Sequence, residues 1–166
     1  KTQFANAAGL PDPNNKASAR DLAVLAAAII RNSAEYYPIY AEREFTYNGI
    51  KQGNRNALLY TDPTVDGLKT GHTDEAGYCL TASAKRNGMR LISVIMNAGS
   101  AQARADQTRV LFNWGFANFE NATPAQAGAT LLSAKVLDGV TPTVPAGVPQ
   151  AWTVVVPKGQ AAAIQT

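Results

Sequence analysis

The chain has 166 residues, 46% of them hydrophobic and 16% charged, with a formal charge of +3. That length makes one moderate domain or one and a fraction, and no apolar run approaches the roughly 20 residues of a membrane span, so the chain reads as soluble and globular. Its Lys and Arg are dispersed rather than gathered into a stripe, which argues against nucleic acid as a partner.

The first elements follow from turn chemistry and apolar spacing. Gly9-Leu10-Pro11-Asp12-Pro13-Asn14-Asn15 keeps the backbone extended or turning, so no helix starts before it. Ser18 with Asp21 three residues on forms an N-terminal cap, and Leu22, Leu25, Ala26, Ile29 and Ile30 share one helical face, which predicts a helix over about 18–33. Tyr36, Tyr37, Ile39 and Tyr40 around Pro38 predict a short turn packing aromatics on the core, and Glu42-Arg43-Glu44 is expected to face water.

Two Asn-Gly pairs then mark hairpins, because each residue of that pair tolerates the positive φ of a two-residue turn. The first joins Phe45-Thr46-Tyr47 to Ile50-Lys51-Gln52 through Asn48-Gly49. In the second, the alternating strand 78–84 returns as Leu91-Ile92-Ser93-Val94-Ile95-Met96 after Asn87-Gly88, and the apolar return strand is expected to be central. Val110, Leu111, Trp114 and Phe116 fit a helix over about 101–119 packed on that sheet, giving an α+β layer. Beyond it, Pro124, Pro142, Pro145 and Pro149 interrupt a stretch rich in Thr, Ala, Val and Gly, with strands expected at 129–137 and 152–156. A boundary near Asn121 divides the chain into 1–120 and 121–166, the second part being short for a closed sandwich and expected to be incomplete.

Cys79 is the single cysteine and His72 the single histidine, which excludes an internal disulfide and a multi-histidine or cysteine-rich metal site. A buried, inert thiol is the simplest reading of Cys79. The chain opens on polar Lys1-Thr2-Gln3, with no visible leader peptide.

Lys69-Thr70-Gly71 is the motif with chemistry in it, just before the strand at Tyr78. A cation, a hydroxyl and a residue without a side chain make a strand edge suited to an anionic peptide end, which adds to that edge by backbone pairing. Three residues also recur by chance, and an exposed strand end before a turn is the bland alternative.

The flanking segments narrow that choice. Phe45-Thr46-Tyr47-Asn48-Gly49-Ile50, Asn54-Arg55-Asn56, Val65-Asp66-Gly67-Leu68-Lys69-Thr70-Gly71-His72-Thr73, Ala76-Gly77-Tyr78 and Met89-Arg90-Leu91-Ile92-Ser93 resemble the serine-type D-Ala-D-Ala carboxypeptidases among the low-molecular-weight penicillin-binding proteins, as do Gly9-Leu10 and Ser18-Ala19-Arg20-Asp21. The likeness runs from residue 1 to about 120. It continues as general character, similar to the start of that family's C-terminal β-rich domain, with 154–159 as the best local match.

The resemblance implies the C-terminal half of a penicillin-binding, β-lactamase-like transpeptidase domain followed by the start of a β-rich sandwich. It implies trimming of terminal D-Ala from peptidoglycan stem peptides through an acyl-serine, with no metal or cofactor, and acylation by β-lactams. Lys69 would give positive potential, assist proton movement and bind the substrate carboxylate, and the backbone N–H of His72 would be half of an oxyanion hole. Thr70 would hydrogen-bond the same carboxylate with Arg104 near it, Arg55 would line the cleft, and Gly71 would let the substrate backbone approach closely. The His72 side chain would be a packing and cleft-edge group.

The family's other two motifs are not in this sequence: none of Ser18, Ser33, Ser83, Ser93, Ser100 and Ser133 has Lys three residues or Asn two residues downstream. The expectation is therefore a C-terminal fragment, inactive alone, whose partner is an N-terminal fragment carrying Ser-x-x-Lys and Ser-x-Asn. The periplasm, at the outer face of the bacterial cytoplasmic membrane, is the implied location, with membrane contact only through a C-terminal anchor not seen here. A β-lactamase and a catalytically inactive peptidoglycan-binding module are the rival readings.

Overall fold

The computed structural model describes residues 2–164, which form two compact units, Lys1–Gly115 and Phe116–Thr166. The Asn121 boundary expected from the sequence falls a few residues further on, inside a strand.

In the first unit, α1 spans Ala19–Asn32, and the Ser18 side chain accepts a hydrogen bond from the Asp21 N–H at 3.1 Å, as the cap pattern requires. Ala26 is fully buried on this helix, Leu22, Ile29 and Ile30 are partly covered, and Leu25 is exposed. A 3₁₀ turn follows at Tyr37–Ala41. Tyr37 is buried and Tyr40, half-buried, packs its ring against it with centroids 5.5 Å apart, whereas Tyr36 and Ile39 lie in the open, so the expected aromatic packing rests on two rings. Glu42, Arg43 and Glu44 are exposed.

Both Asn-Gly hairpins form. Strands β1 (Glu44–Tyr47) and β2 (Ile50–Gly53) join through Asn48 at φ 48° and Gly49 at φ 75°. A short helix α2 (Leu58–Thr61) buries Leu58 and Leu59 and leads into β3 (Val65–Thr73). Strands β4 (Gly77–Arg86) and β5 (Met89–Ala98) turn at Asn87, φ 49°, and Gly88, φ 80°.

Strands β3, β4 and β5 make one antiparallel sheet in that order. The central strand among the described residues is β4, with β5 at an edge, contrary to the expectation that the apolar return strand is central. Apolarity reports burial of the two faces of a strand and says nothing about its edges. Alternation sends Leu80, Ala82 and Ala84 of β4 to one face, all buried, and Thr81 and Ser83 to the other.

Helix α3 spans Ala101–Asn118. Its buried positions are Arg104, Ala105, Thr108, Phe112 and Gly115, whereas Val110, Leu111 and Trp114 are exposed and Phe116 is half-covered. The expected apolar stripe is thus rotated away from the buried one. The reason is size and hydrogen bonding: small Gly115 lets Leu91 of β5 come close, and Arg104 is drawn inward by backbone acceptors described below.

The second unit holds β6 (Phe119–Ala125) paired with β9 (Trp152–Pro157), and β7 (Thr130–Lys135) paired with β8 (Thr143–Gly147). The expected strands at 129–137 and 152–156 correspond to β7 and β9. β6 and β8 were hidden by their prolines. Pro124 sits at the break in register between Ala122 and Ala125, and Pro145 lies opposite Ser133 in a two-stranded ladder with a free edge, the places a strand tolerates Pro.

Candidate active site

Strand β3 is the other edge of the three-stranded sheet, so among the described residues one side of its backbone carries no ladder. Its C-terminal half holds Lys69, Thr70, Gly71 and His72, opposite Thr81, Leu80, Cys79 and Tyr78 of β4. Period-two alternation therefore places Lys69 with Thr81 on one face and Thr70 and His72 with Leu80 and Tyr78 on the other.

On the Thr70 face lies a cleft of about 500 Å³ lined by Arg55, Thr70, Gly71, His72, Tyr78, Ala101 and Arg104. Arg104 comes from the first turns of α3 and is only 5% exposed. Its Nη1 donates to the Gly71 carbonyl at 3.1 Å and to the Cys79 carbonyl at 3.2 Å, and its Nη2 donates to the Arg55 carbonyl at 3.3 Å. The guanidinium also sits over the Tyr78 ring, 5.6 Å from its centre. Burial holds the guanidinium below its ordinary pKa, yet the group stays charged at any working pH because that value starts far above neutrality. A cation is thereby fixed at the wall of the cleft, and two of its five N–H groups are not spent on these carbonyls.

Tyr78 is a wall residue that motif reasoning passed over. Its ring lies against that of His72 with centroids 4.0 Å apart, so the histidine side chain packs at the cleft edge. Its signal was available in principle: it stands directly opposite His72 in the hairpin register. Arg55 is exposed and touches both this cleft and a neighbouring hollow of about 430 Å³, where Ile39, Phe45 and Gln52 also contribute.

Lys69 is not brought into the cleft with the others. Its side chain is exposed on the opposite face, and its ammonium donates to the carbonyl of Thr70. The site residues thus divide across the edge strand, Lys69 on one side and Thr70, His72, Arg55 and Arg104 on the other, with Gly71 between them lacking a side chain. Cys79, half-covered, directs its thiol to the Ala76 carbonyl at 3.3 Å. Among the described residues no cluster of His, Cys, Asp and Glu could hold a metal ion.

On the Lys69 side the start of β3 is held by a polar network. Asp66 accepts both terminal nitrogens of Arg90, at 2.8 and 2.7 Å, and also accepts a hydrogen bond from the Ser83 hydroxyl. Ser83 shares a hydrogen bond of 2.6 Å with the Tyr37 hydroxyl, and Arg90 lies 5.4 Å from the centre of the Tyr37 ring. Hydrogen bonding to Asp66 raises the Arg90 pKa, and burial raises that of Tyr37, so both keep their protons. Asn56 donates to the Gly67 carbonyl at 3.0 Å, fastening α2 to the same strand.

Comparison with known proteins fits this arrangement. Residues 1–100 match the family model described as D-alanyl-D-alanine carboxypeptidase, peptidase S11. The chain is 46% identical over 162 residues to D-alanyl-D-alanine carboxypeptidase DacA of Haemophilus influenzae, covering 96% of this chain and 41% of that protein. The crystal structure of penicillin-binding protein 5 from Haemophilus influenzae superposes with a TM-score of 0.86 at 44% identity, over 97% of this chain and 47% of that one. Penicillin-binding protein D2 of Listeria monocytogenes in its cefotaxime-bound form superposes with a TM-score of 0.64 at 36% identity, over 69% of this chain and 48% of that one. The chain spans about two fifths of the length of the curated relatives it matches, 41% for DacA. With its antiparallel sheet, its Lys-Thr-Gly edge strand and these matches, the chain belongs to the D-alanyl-D-alanine carboxypeptidase family, peptidase S11.

Proposed function

We propose that this chain is the part of a serine-type D-Ala-D-Ala carboxypeptidase that receives the carboxylate end of a peptidoglycan stem peptide. The observation that carries the reading is the buried Arg104 guanidinium facing a cleft shared with Thr70, Gly71 and His72 along a free strand edge. A peptide that adds to that edge touches both faces of β3 at once. Its terminal carboxylate meets the positive wall of Arg104 and the Thr70 hydroxyl, with Arg55 at the rim. Its scissile carbonyl lies beside Gly71, where a Cβ-free backbone allows close approach and the His72 N–H donates to the developing oxyanion. Lys69, across the strand, supplies positive potential and assists proton transfer on the side where the nucleophile arrives.

None of the six serines carries the Ser-x-x-Lys spacing, so the reading assigns the nucleophile to a further polypeptide segment bearing Ser-x-x-Lys and Ser-x-Asn. It also takes residues 1–120 as the C-terminal part of the peptidase domain, residues 121–166 as the beginning of a β-rich domain, and the periplasm as the place of action. β-Lactams acylate the same serine, in keeping with the cefotaxime-bound relative.

Fluorescent penicillin tests the reading. Joined to a family segment containing Ser-x-x-Lys, the chain acquires a covalent label stable to denaturation, and Thr70→Ala lowers the acylation rate by about 10- to 100-fold, of the order of one lost donor. Labelling of the 166-residue chain by itself overturns it. Rapid release of the label favours a β-lactamase, and no labelling of the joined protein, with a stem peptide still bound, favours a catalytically inactive binding module.

A further inference from the structure

The register of β3 against β4 contains one irregularity. Val65 pairs with Ala84 and Gly67 with Ser83, so two steps along β3 match one along β4, and Asp66 is the extra residue. An inserted residue reverses the side-chain phase of everything after it, because strand alternation has a period of two. Downstream of Asp66 the phase puts Lys69 opposite Thr81, on the open face, and Thr70 opposite Leu80, on the face of the cleft. Without the insertion, Lys69 would lie opposite Leu80, at the cleft-wall position that Thr70 now occupies.

The extra residue is gripped from two directions, and one of the grips is itself braced. Arg90 of β5 takes its carboxylate with both terminal nitrogens, Ser83 of β4 donates to it, and Tyr37 holds Ser83 from the 3₁₀ turn. The next residue, Gly67, lies under Tyr37 so closely that a Cβ there would come within 2.5 Å of the Tyr37 hydroxyl. The clamp therefore acts on the one residue that decides which face each member of the Lys-Thr-Gly motif presents.

We propose that Asp66 is a positioning residue, whose bulge, locked by Arg90 and Ser83, sets the strand phase that sends Lys69 and Thr70 to opposite faces. Its consequence for catalysis rests on the carboxypeptidase reading; the phase itself does not.

Native Cys79 supplies the probe. It stands opposite Gly71, and a Cβ built on Gly71 lies 3.9 Å from the Cys79 Cβ, within disulfide range. Loss of the bulge would bring Thr70 opposite Cys79 instead. In the 166-residue chain, Gly71→Cys should oxidise to an intramolecular disulfide at least tenfold faster than Thr70→Cys, read by mass under dilute conditions. Added Asp66→Ala should reverse that preference, and Asp66→Asn, which keeps an oxygen acceptor for Arg90 and Ser83, should restore it. If Asp66→Ala leaves the preference for position 71 unchanged, the proposal fails, while the carboxypeptidase reading stands. If Asp66→Ala removes the folded circular dichroism signal, the same pair of cysteine variants is read on Arg90→Lys. Reversal there supports the clamp; an unchanged preference, or unfolding there too, makes the network a general folding determinant and overturns the specific role.

Discussion

Arg104 gives the strongest single perturbation of the candidate site. Arg104→Ala removes a 5%-exposed cation that bonds the carbonyls of Gly71, Cys79 and Arg55 at 3.1, 3.2 and 3.3 Å. Hydrogen bonds from a charged donor contribute about 1.5–3 kcal/mol each at good geometry. These are at the long end of the distance range and border a cleft that water can enter once the side chain is gone, so about 1 kcal/mol each is the appropriate figure. Loss of the guanidinium from the Tyr78 face adds roughly 0.5–1 kcal/mol, and release of its desolvation offsets a similar amount. The net expectation is a loss of about 3 kcal/mol, or a fall in Tm of 10 °C or more for a unit of this size. Arg104→Lys keeps the charge but not the fork, and should lose about half as much. Urea unfolding followed by far-ultraviolet circular dichroism, with an unchanged slope, measures both. A loss below about 1 kcal/mol for Arg104→Ala, or a Lys variant as stable as the parent, would refute the view that this arginine fastens three backbone segments around the cleft.

The rotated face of α3 predicts that Phe112→Ala, at a position 1% exposed, costs about 3–5 kcal/mol, whereas Val110→Ala, at 66% exposed, is neutral or stabilising by a few tenths; paired urea midpoints decide it. Gly67→Ala should cost about 1–3 kcal/mol by overpacking against the rigid Tyr37 ring, whose Cζ would lie 3.1 Å from the new methyl, and a loss under 0.5 kcal/mol would show that the ring yields. Burial works to raise the Asp62 pKa, but hydrogen bonds from Thr64 and Arg86 outweigh it and hold the carboxyl below its ordinary value. A depressed carboxylate stabilises the fold above the unfolded-state value near 3.9 and loses that contribution as pH falls through the folded value. Asp62→Asn should therefore destabilise by about 1–2 kcal/mol at pH 7 and narrow the gap to the parent below about pH 4; a gap that does not change with pH would contradict it.

Much of the fold was legible because its determinants are local. Ser18 and Asp21 close a cap within one turn, and each Asn-Gly pair fixes a two-residue reversal by its own φ preference. The Lys-Thr-Gly motif could be placed next to the second hairpin from chain order alone. Less legible were strands whose justification is a partner far away: β6 pairs with β9 across about thirty residues, and its Pro124 argues against a strand until the break in register is seen. The buried face of α3 was misjudged for a similar reason. Apolar residues mark a face only when the core demands apolar groups, and here the core receives a glycine and an arginine because of Leu91 and three backbone carbonyls contributed from elsewhere.

Sequence alone determined the chemistry on offer: an ammonium, a hydroxyl and a bare backbone in consecutive positions, one histidine, one cysteine, and no serine with a lysine three residues on. The tertiary structure decided which way each group points. Alternation along a strand is fixed by geometry, but its phase is set by a single extra residue at Asp66 and by the distant Arg90, Ser83 and Tyr37 that hold it. Likewise Arg104 was singled out only through the family resemblance, and its inward setting depends on three carbonyls from separate segments, because hydrogen-bond acceptors of the backbone leave no trace in the side-chain sequence.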